Sequence, residues 1–354
     1  MAPVRFLVPA EAGLIALDWG TSALRAFRMD AAGGVLETRH RPWGIMHLPP
    51  ASDGASRGGD PAAAFERALH DTCGDWLAAT PGVPLLACGM VGSAQGWREA
   101  RYLHTPASLD ELARCLTLVA RRDGPPLHIV PGLLQPGPLP NVMRGEETQV
   151  LGVLAGLPPA DGASVLIGLP GTHSKWVWAR QTGSQCRIER FHTFMTGEVF
   201  AALRNHTILG KTMQAAAAPD HDAFARGLAV ARGSEAALGL LSHIFSTRTL
   251  GLTGALEPTA QADYLSGLLI GHEVASLARA QAPGAAGPQA LVLCGEAELC
   301  RRYAIALQAH GFSAPAIATQ ATATGLWRIA LAAGLVVAPA PRPPSATTTG
   351  SPSA

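Results

Sequence analysis

Residues 14–41 and residues 165–194 open in the same way, and this internal duplication constrains the fold more than any single motif. In the first stretch an apolar run, Leu14 to Leu17, ends in Asp18 and the small-residue turn Gly20-Thr21-Ser22. A second run (Leu24, Ala26, Phe27) leads to the turn Ala31-Ala32-Gly33-Gly34, and a third starts at Val35. In the second stretch, Val165 to Leu169 runs into Pro170-Gly171-Thr172-His173-Ser174. Lys175 to Ala179 follows, then the turn Thr182-Gly183-Ser184, then an alternating run from Cys186 to Phe194. Apolar runs of strand length separated by Gly-rich turns read as β-meanders. The expectation is an α/β protein of two domains, each opening with a three-stranded meander whose first turn carries small polar residues. The two turns would face each other across a cleft.

Length agrees with this division, because 354 residues exceed what one modest core encloses. The composition shifts at Pro158 to Gly162, which places a boundary between residues 1–157 and 158–338. The Pro, Ser, Thr and Ala-rich residues 339–354 read as a disordered tail. Lys plus Arg number 27 against 26 Asp plus Glu, so the charge offers no footprint for nucleic acid or an anionic membrane. The six cysteines form no Cys-x-x-Cys pair and no zinc-like spacing, as expected for small buried hydrophobes in a reducing compartment. The apolar patch after Arg5 is too short for a signal peptide, and Leu326 to Ala338 is interrupted by Arg328 and shorter than a membrane span. A cytoplasmic protein is expected, with a homodimer compatible.

Between the duplicated stretches, residues 51–61 read as a surface loop and Ala62 to Ala79 has helical spacing. Pro84 to Cys88 and Leu127 to Val130 read as buried strands, and Asp110 to Arg121 as a helix. Residues 131–140 read as a Pro-rich loop that leads through Asn141 to Gln149 into an apolar helix. After Met195-Thr196-Gly197-Glu198 the chain is helical, broken near Pro219. Helices are expected at Asp222 to Leu241 and Tyr264 to Arg279. A strand at Ala290 to Cys294, a helix at Leu299 to His310, a weak strand near Pro315 to Thr319 and a final helix from Ala321 to about Val337 complete the reading.

The chemistry suggested by the turns is phosphoryl transfer. It needs donors for phosphate oxygens, a carboxylate for Mg²⁺ and a group to orient the attacking hydroxyl. Asp18 with Gly20, Thr21 and Ser22 suits one side, since backbone N–H groups and hydroxyls bind oxyanions and a carboxylate holds Mg²⁺. Gly171, Thr172, His173, Ser174 and Lys175 suit the other. The strand ending in Cys294-Gly295-Glu296-Ala297 is an edge for adenosine, because glycine permits close approach. The loop Gly89 to Trp97, with Gly92, Ser93 and Trp97, lies just past a buried strand. It is either ligand-facing or an ordinary Gly-rich loop with Trp97 packed on the core. Arg98 and Arg101 follow it and could hold a carboxylate. The paired acids of Arg144-Gly145-Glu146-Glu147-Thr148-Gln149 fit the first turn of a helix, though the string is more polar than capping requires.

The strings DWGTSALRAF, CGMVGSAQGW, PGLLQP, NVMRGEETQ, LPGTHSKWV, FMTGE and YLSGLLIGHEVAS together resemble the 2-dehydro-3-deoxygalactonokinases, in register from about Leu14 to Ala338. The resemblance implies a two-domain actin-like ATPase (ribonuclease H-like) fold. It further implies ATP- and Mg²⁺-dependent phosphorylation of the terminal hydroxyl of 2-dehydro-3-deoxy-D-galactonate, in D-galactonate breakdown. Asp18 and its turn match the superfamily's first phosphate motif. PGTHSKW stands at the second motif, without the usual aspartate-glycine-glycine pattern, and CGEAEL is only loosely like the adenosine motif. RGEETQ lies where related phosphatases carry a catalytic glutamate, so the general base is Glu146 first and Glu147 second, with helix capping as the plain alternative. A sugar acid also needs a cation, for which Arg25, Arg98, Arg101 and Arg144 are the candidates. A kinase for another sugar acid, a phosphatase on the same fold, or a non-catalytic sugar-acid sensor are the competing readings.

Overall fold

The computed structural model describes residues 12–50, 61–158, 162–183, 185–234, 236–280 and 288–337. The first eleven residues, the loop expected at 51–61 up to its last residue, the centre of the 158–162 linker, the turn residue Ser184 and the tail from 338 lie outside the described residues.

The first meander is β1 (Leu14–Trp19), β2 (Leu24–Met29) and β3 (Val35–Arg41), successive strands pairing antiparallel. Helix α1 (Pro61–Ala79) then carries the chain over to β4 (Leu85–Cys88), which lies parallel to β1. The sheet is extended by β7 (Thr117–Val119) and β8 (Leu127–Ile129), in the order β3-β2-β1-β4-β8-β7. Between β4 and β7 run β5 (Tyr102–His104), β6 (Ala107–Ser108) and helix α2 (Leu109–Arg114). After β8 come β9 (Gly132–Gln135), β10 (Asn141–Met143) and helix α3 (Glu146–Gly156), with β10, β9 and β5 forming a small second sheet.

The second meander is β11 (Ala163–Leu169), β12 (Ser174–Thr182) and β13 (Gln185–Phe194), again antiparallel. A helical stretch follows: α4 (Thr196–His206), α5 (His221–Val230), α6 (Gly239–His243), α7 (Ser246–Leu252) and α8 (Gln261–Ala280). Then come β14 (Ala290–Leu293), α9 (Ala297–Ala309), β15 (Ala316–Ile317) and α10 (Ala321–Ala332). Strand β14 is parallel to β11 and β15 parallel to β14, so the order β13-β12-β11-β14-β15 repeats that of β3-β2-β1-β4-β8. The duplication read from the turns therefore extends to whole sheets.

Both sheets are covered on both faces, which is why β1 and β11 are continuous apolar runs rather than alternating ones. Leu14 and Ala16 face α3 and α10, while Ile15 and Leu17 face α1. In the second sheet Val165, Ile167 and Leu169 join that same central core, and Leu166 with Leu291 and Leu293 packs toward α8 and α9. The layers run helix, sheet, helix pair, sheet, helices. This is the two-domain actin-like ATPase arrangement that the resemblance implies.

The central pair is unusually close. A Cβ on Gly152 of α3 would lie 1.8 Å from the Ala321 carbonyl oxygen, and one on Gly325 of α10 would lie 1.9 Å from that of Thr148. The pair brings two helix N-termini to one place. Helix α10, late in the chain, thus packs on α3 and beside β1 and β4 of the first sheet. In the other direction, β6 pairs with β13 and adds an edge strand to the second sheet. Gln135 accepts the Phe191 N–H at 2.7 Å and Asn141 accepts the Thr193 hydroxyl at 2.8 Å.

Some element boundaries differ from the sequence reading. The helix expected at Asp110 to Arg121 ends at Arg114, since Thr117–Val119 contains β-branched residues that pair with β8 at the sheet edge. The loop expected at 131–140 holds β9, whose partner β10 stands where the chain was read as passing into a helix. The helix expected at Asp222 to Leu241 breaks after Val230 and restarts at Gly239, whose φ of 78° is left-handed.

Candidate active site

The first polar turn is a closed loop held from outside. Gly20 N–H bonds Ala23 O at 2.9 Å, and the segment after β3 lies across it: Ile45 N–H reaches Gly20 O at 3.0 Å and Met46 N–H reaches Thr21 O at 3.1 Å. The Trp19 indole donates to Trp43 O at 2.7 Å. Thr21 and Ser22 are left exposed, with their hydroxyls and N–H groups available. Asp18 and Arg25 are cross-strand partners in register, and the guanidinium is ion-paired to the Asp18 carboxylate. The same Arg25 nitrogen lies 3.4 Å from Thr322 Oγ1 at the start of α10.

The second turn is backed by α4. Gly197 sits so tightly on it that a Cβ would be 2.5 Å from Gly171 O and 2.8 Å from Thr172 Cα. Glu198 N–H donates to Thr172 O at 3.0 Å, and the Glu198 carboxylate pairs with His173 Nε2. Thr172 and His173 are exposed, whereas Ser174 and Lys175 are buried. Ser174 Oγ meets the Tyr303 hydroxyl at 2.8 Å.

The start of α3 joins the two turns. Gly145 and Gly89, with φ of 102° and 93°, stand against each other where a Cβ on Gly145 would be 3.1 Å from Gly89 Cα. Glu146, its side chain 26% exposed, accepts the Arg144 N–H at 3.0 Å and lies 3.3 Å from Lys175 Nζ, a contact from the first half to the second. Glu147 is fully buried and accepts the Gly145 N–H at 2.7 Å and the Thr148 hydroxyl at 3.0 Å. Burial, with Glu146 alongside, pushes the Glu147 carboxyl up to about 8, so at neutral pH it is mostly uncharged. Burial, with the Asp18 charge nearby, also holds the Cys88 thiol well above its usual range. Gln149 reaches Thr322 Oγ1 at 3.4 Å. Asp18, Arg25, Glu146, Glu147 and Lys175 are thus brought together.

A cavity of about 590 Å³ opens beside the second turn. Gly171, Thr196, Gly197, Glu296, Arg302 and Tyr303 are among its lining residues. Gly295 approaches Pro170, where a Cβ would lie 3.2 Å from the carbonyl oxygen. The Glu296 carboxylate caps α9, accepting the Glu298 and Leu299 N–H groups at 3.0 and 2.8 Å. Further along α9, Arg302 is paired with Asp263 of α8 and donates to Glu298 at 3.0 Å.

The remaining sequence candidates form a separate group. The Trp97 ring stacks on Phe65 at 5.6 Å and meets Trp19 edge-on at 6.0 Å, so it belongs to the core beneath the loop. Arg98 and Arg101 are exposed. Arg144 is buried over the Tyr102 ring and donates to Ala100 O at 2.8 Å. Its other guanidinium nitrogens, and the buried Ser93 hydroxyl, have no partner among the described residues. A Cβ on Gly92 would lie 3.0 Å from Arg144 Nη1.

Comparison with known proteins now decides the family. The family model for 2-keto-3-deoxy-galactonokinase matches residues 18–329. The chain belongs to this galactonokinase family. It is 36% identical over 324 residues to a Rhizobium meliloti protein bearing the 2-dehydro-3-deoxygalactonokinase name, covering 88% of this chain and 94% of that one. It is 36% identical over 308 residues to the Escherichia coli 2-dehydro-3-deoxygalactonokinase, covering 86% and 92%. A Sinorhizobium meliloti crystal structure bearing the 2-dehydro-3-deoxygalactonokinase name superposes with a TM-score of 0.71 at 34% identity, covering 90% of this chain and 98% of the other.

Several site residues of this galactonokinase-family chain carry no local signal. The strap at Trp43 to Met46, Thr322 on α10, and Asp263 with Arg302 come to the site only through tertiary packing. Gly197 and Glu198 did carry a signal, since they stand in the string FMTGE, but spacing alone does not show that they back the second turn.

Proposed function

We infer that this chain is an ATP-dependent kinase that phosphorylates the terminal hydroxyl of 2-dehydro-3-deoxy-D-galactonate in D-galactonate catabolism. Family membership supports the activity. The observation that carries it to these residues is the Glu146–Lys175 contact, where the acid string of the first half meets the second polar turn.

In this reading residues 1–157 and 158–338 form the two domains, and the exposed amides and hydroxyls of Thr21 and Ser22, beside Gly20, face the phosphates from the first side. Gly171, Thr172 and His173 face them from the second, and adenosine enters the cavity beside Gly295 and Glu296. Asp18 is a single, partly exposed carboxylate. That suits Mg²⁺, which takes one or two protein carboxylates and fills its remaining positions with phosphate oxygens and water. When bound there, Mg²⁺ neutralises charge on the phosphates. Lys175 contributes a fixed positive charge between the turns. Glu146, open to the cleft, orients the sugar hydroxyl and accepts its proton. Glu147 is enclosed and uncharged, and holds the first turn of α3 through Gly145. Ser93 and Arg144 carry the unmatched polar atoms that favour a carboxylate near the 89–97 loop. The setting proposed is cytoplasmic; no described helix is long and apolar enough to cross a membrane.

The test is a substrate panel with purified protein, ATP and Mg²⁺, following ADP and free phosphate separately. ADP appearing only with a six-carbon 2-keto-3-deoxy acid, and fastest with the galactonate-derived epimer, is the expected result. Free phosphate without acid would make the protein a phosphatase, and acid binding without turnover would make it a sensor.

A further inference from the structure

One buried carboxylate stands behind the cavity wall and belongs to neither turn. Glu273, in the middle of α8, is 3% exposed. Its Oε1 accepts the Trp176 indole N–H of β12 at 2.7 Å. Its Oε2 accepts the Thr196 hydroxyl at the start of α4 and the Tyr303 hydroxyl of α9, the latter at 2.7 Å. Tyr303 also meets Ser174 Oγ at 2.8 Å. Each of these partners is a neutral donor. Burial raises the Glu273 carboxyl above its usual range despite them, so holding a carboxylate there carries a desolvation cost.

What the carboxylate gains is placement. Thr196 begins the helix whose next two residues, Gly197 and Glu198, press on Gly171 and Thr172. Ser174 is the residue at which the same turn re-enters β12. Both ends of the 171–173 turn are therefore referred to one group. Thr196 and Tyr303 themselves line the 590 Å³ cavity.

We propose that Glu273 is a positioning residue for the nucleotide: it fixes the 171–173 turn and the cavity wall at Thr196 and Tyr303 without touching substrate. This rests on the reading that ATP occupies that cavity.

The experiment measures kcat, KM for ATP and KM for the sugar acid in the wild type, Glu273→Gln and Tyr303→Phe, with the shift in Tm caused by Mg·ATP. An amide at 273 keeps the volume but cannot accept all three donors, so KM for ATP should rise about tenfold. KM for the sugar acid should stay within about twofold, and the ATP-induced Tm shift should shrink. If both KM values rise together, or only Tm falls while KM for ATP holds, Glu273 is merely structural and the proposal is overturned. Should Glu273→Gln fail to fold, Tyr303→Phe decides alone. A rise of about threefold in KM for ATP supports the proposal, and no change overturns it. A wild type that does not turn over ATP would instead defeat the nucleotide reading itself.

Discussion

The Gly20–Ser22 turn is held from outside by the chain that follows its meander, through Ile45 and Met46. The Gly171–His173 turn is held from beneath, by α4 and the Glu273 cluster. Strand order is the same around both, yet the chemistry is not. The first turn follows a carboxylate, Asp18, balanced in register by Arg25; the second follows Pro170 and leads into Lys175, with His173 paired to Glu198. In the proposed reading, a duplicated scaffold supplies unlike partners to one polyphosphate: an acid for the metal from one side, cations and backbone amides from the other. The two are coupled where Glu146 meets Lys175.

Substitutions that break one side should leave different signatures. Asp18→Asn should lower kcat by about 10³-fold or more with a far-UV spectrum unchanged, because the acid of the first side is irreplaceable from the second. A near-normal rate would remove Asp18 from the metal site. Glu146→Gln should lower kcat by about 10²-fold, whereas Glu147→Gln should cost much less. Equal mild losses would favour helix capping for both acids. Gly197→Ala should act on the second side alone. Its methyl cannot fit beside Gly171, so KM for ATP should rise roughly tenfold with kcat little altered.

The smallest effect is on stability. The Glu147 carboxyl moves from about 4.5 in the unfolded chain to about 8 in the folded protein. Between those values the native state keeps a proton that the unfolded state has released, so stability falls as pH rises through that window and levels off above it. Denaturation at pH 5 and pH 8 should show the wild type losing a few kcal/mol more across the window than Glu147→Gln. Parallel losses in the two proteins would show that Glu147 does not carry the proton.

How much of this was legible in the sequence follows from range. The meanders could be read because strands covered on both faces, such as Leu14 to Leu17 and Val165 to Leu169, must be continuously apolar. Glycine turns punctuate them. The parallel strands β4 and β14 were visible for the same reason. The helix at Asp110 to Arg121 was overextended because the short edge strand β7 draws on pairing with β8, which no local pattern reveals. At the site, Asp18 and the Glu146–Glu147 pair stood out as acids in unusual strings, but the difference in burial between the two glutamates shows only in the fold. Trp97 looked equally suited to ligand or core until Phe65, from α1, was placed against its ring. Glu273 stands in the string YLSGLLIGHEVAS, but its three donors come from three distant elements, so spacing alone does not show what it holds.

The most direct test of the two-sided clamp is hydrogen–deuterium exchange with a non-hydrolysable ATP analogue and Mg²⁺. Binding should slow exchange in peptides covering 20–22 and 171–173 together, with Asp18→Asn losing the first protection and keeping the second. Protection confined to 171–173 in the wild type would contradict a clamp built from both halves.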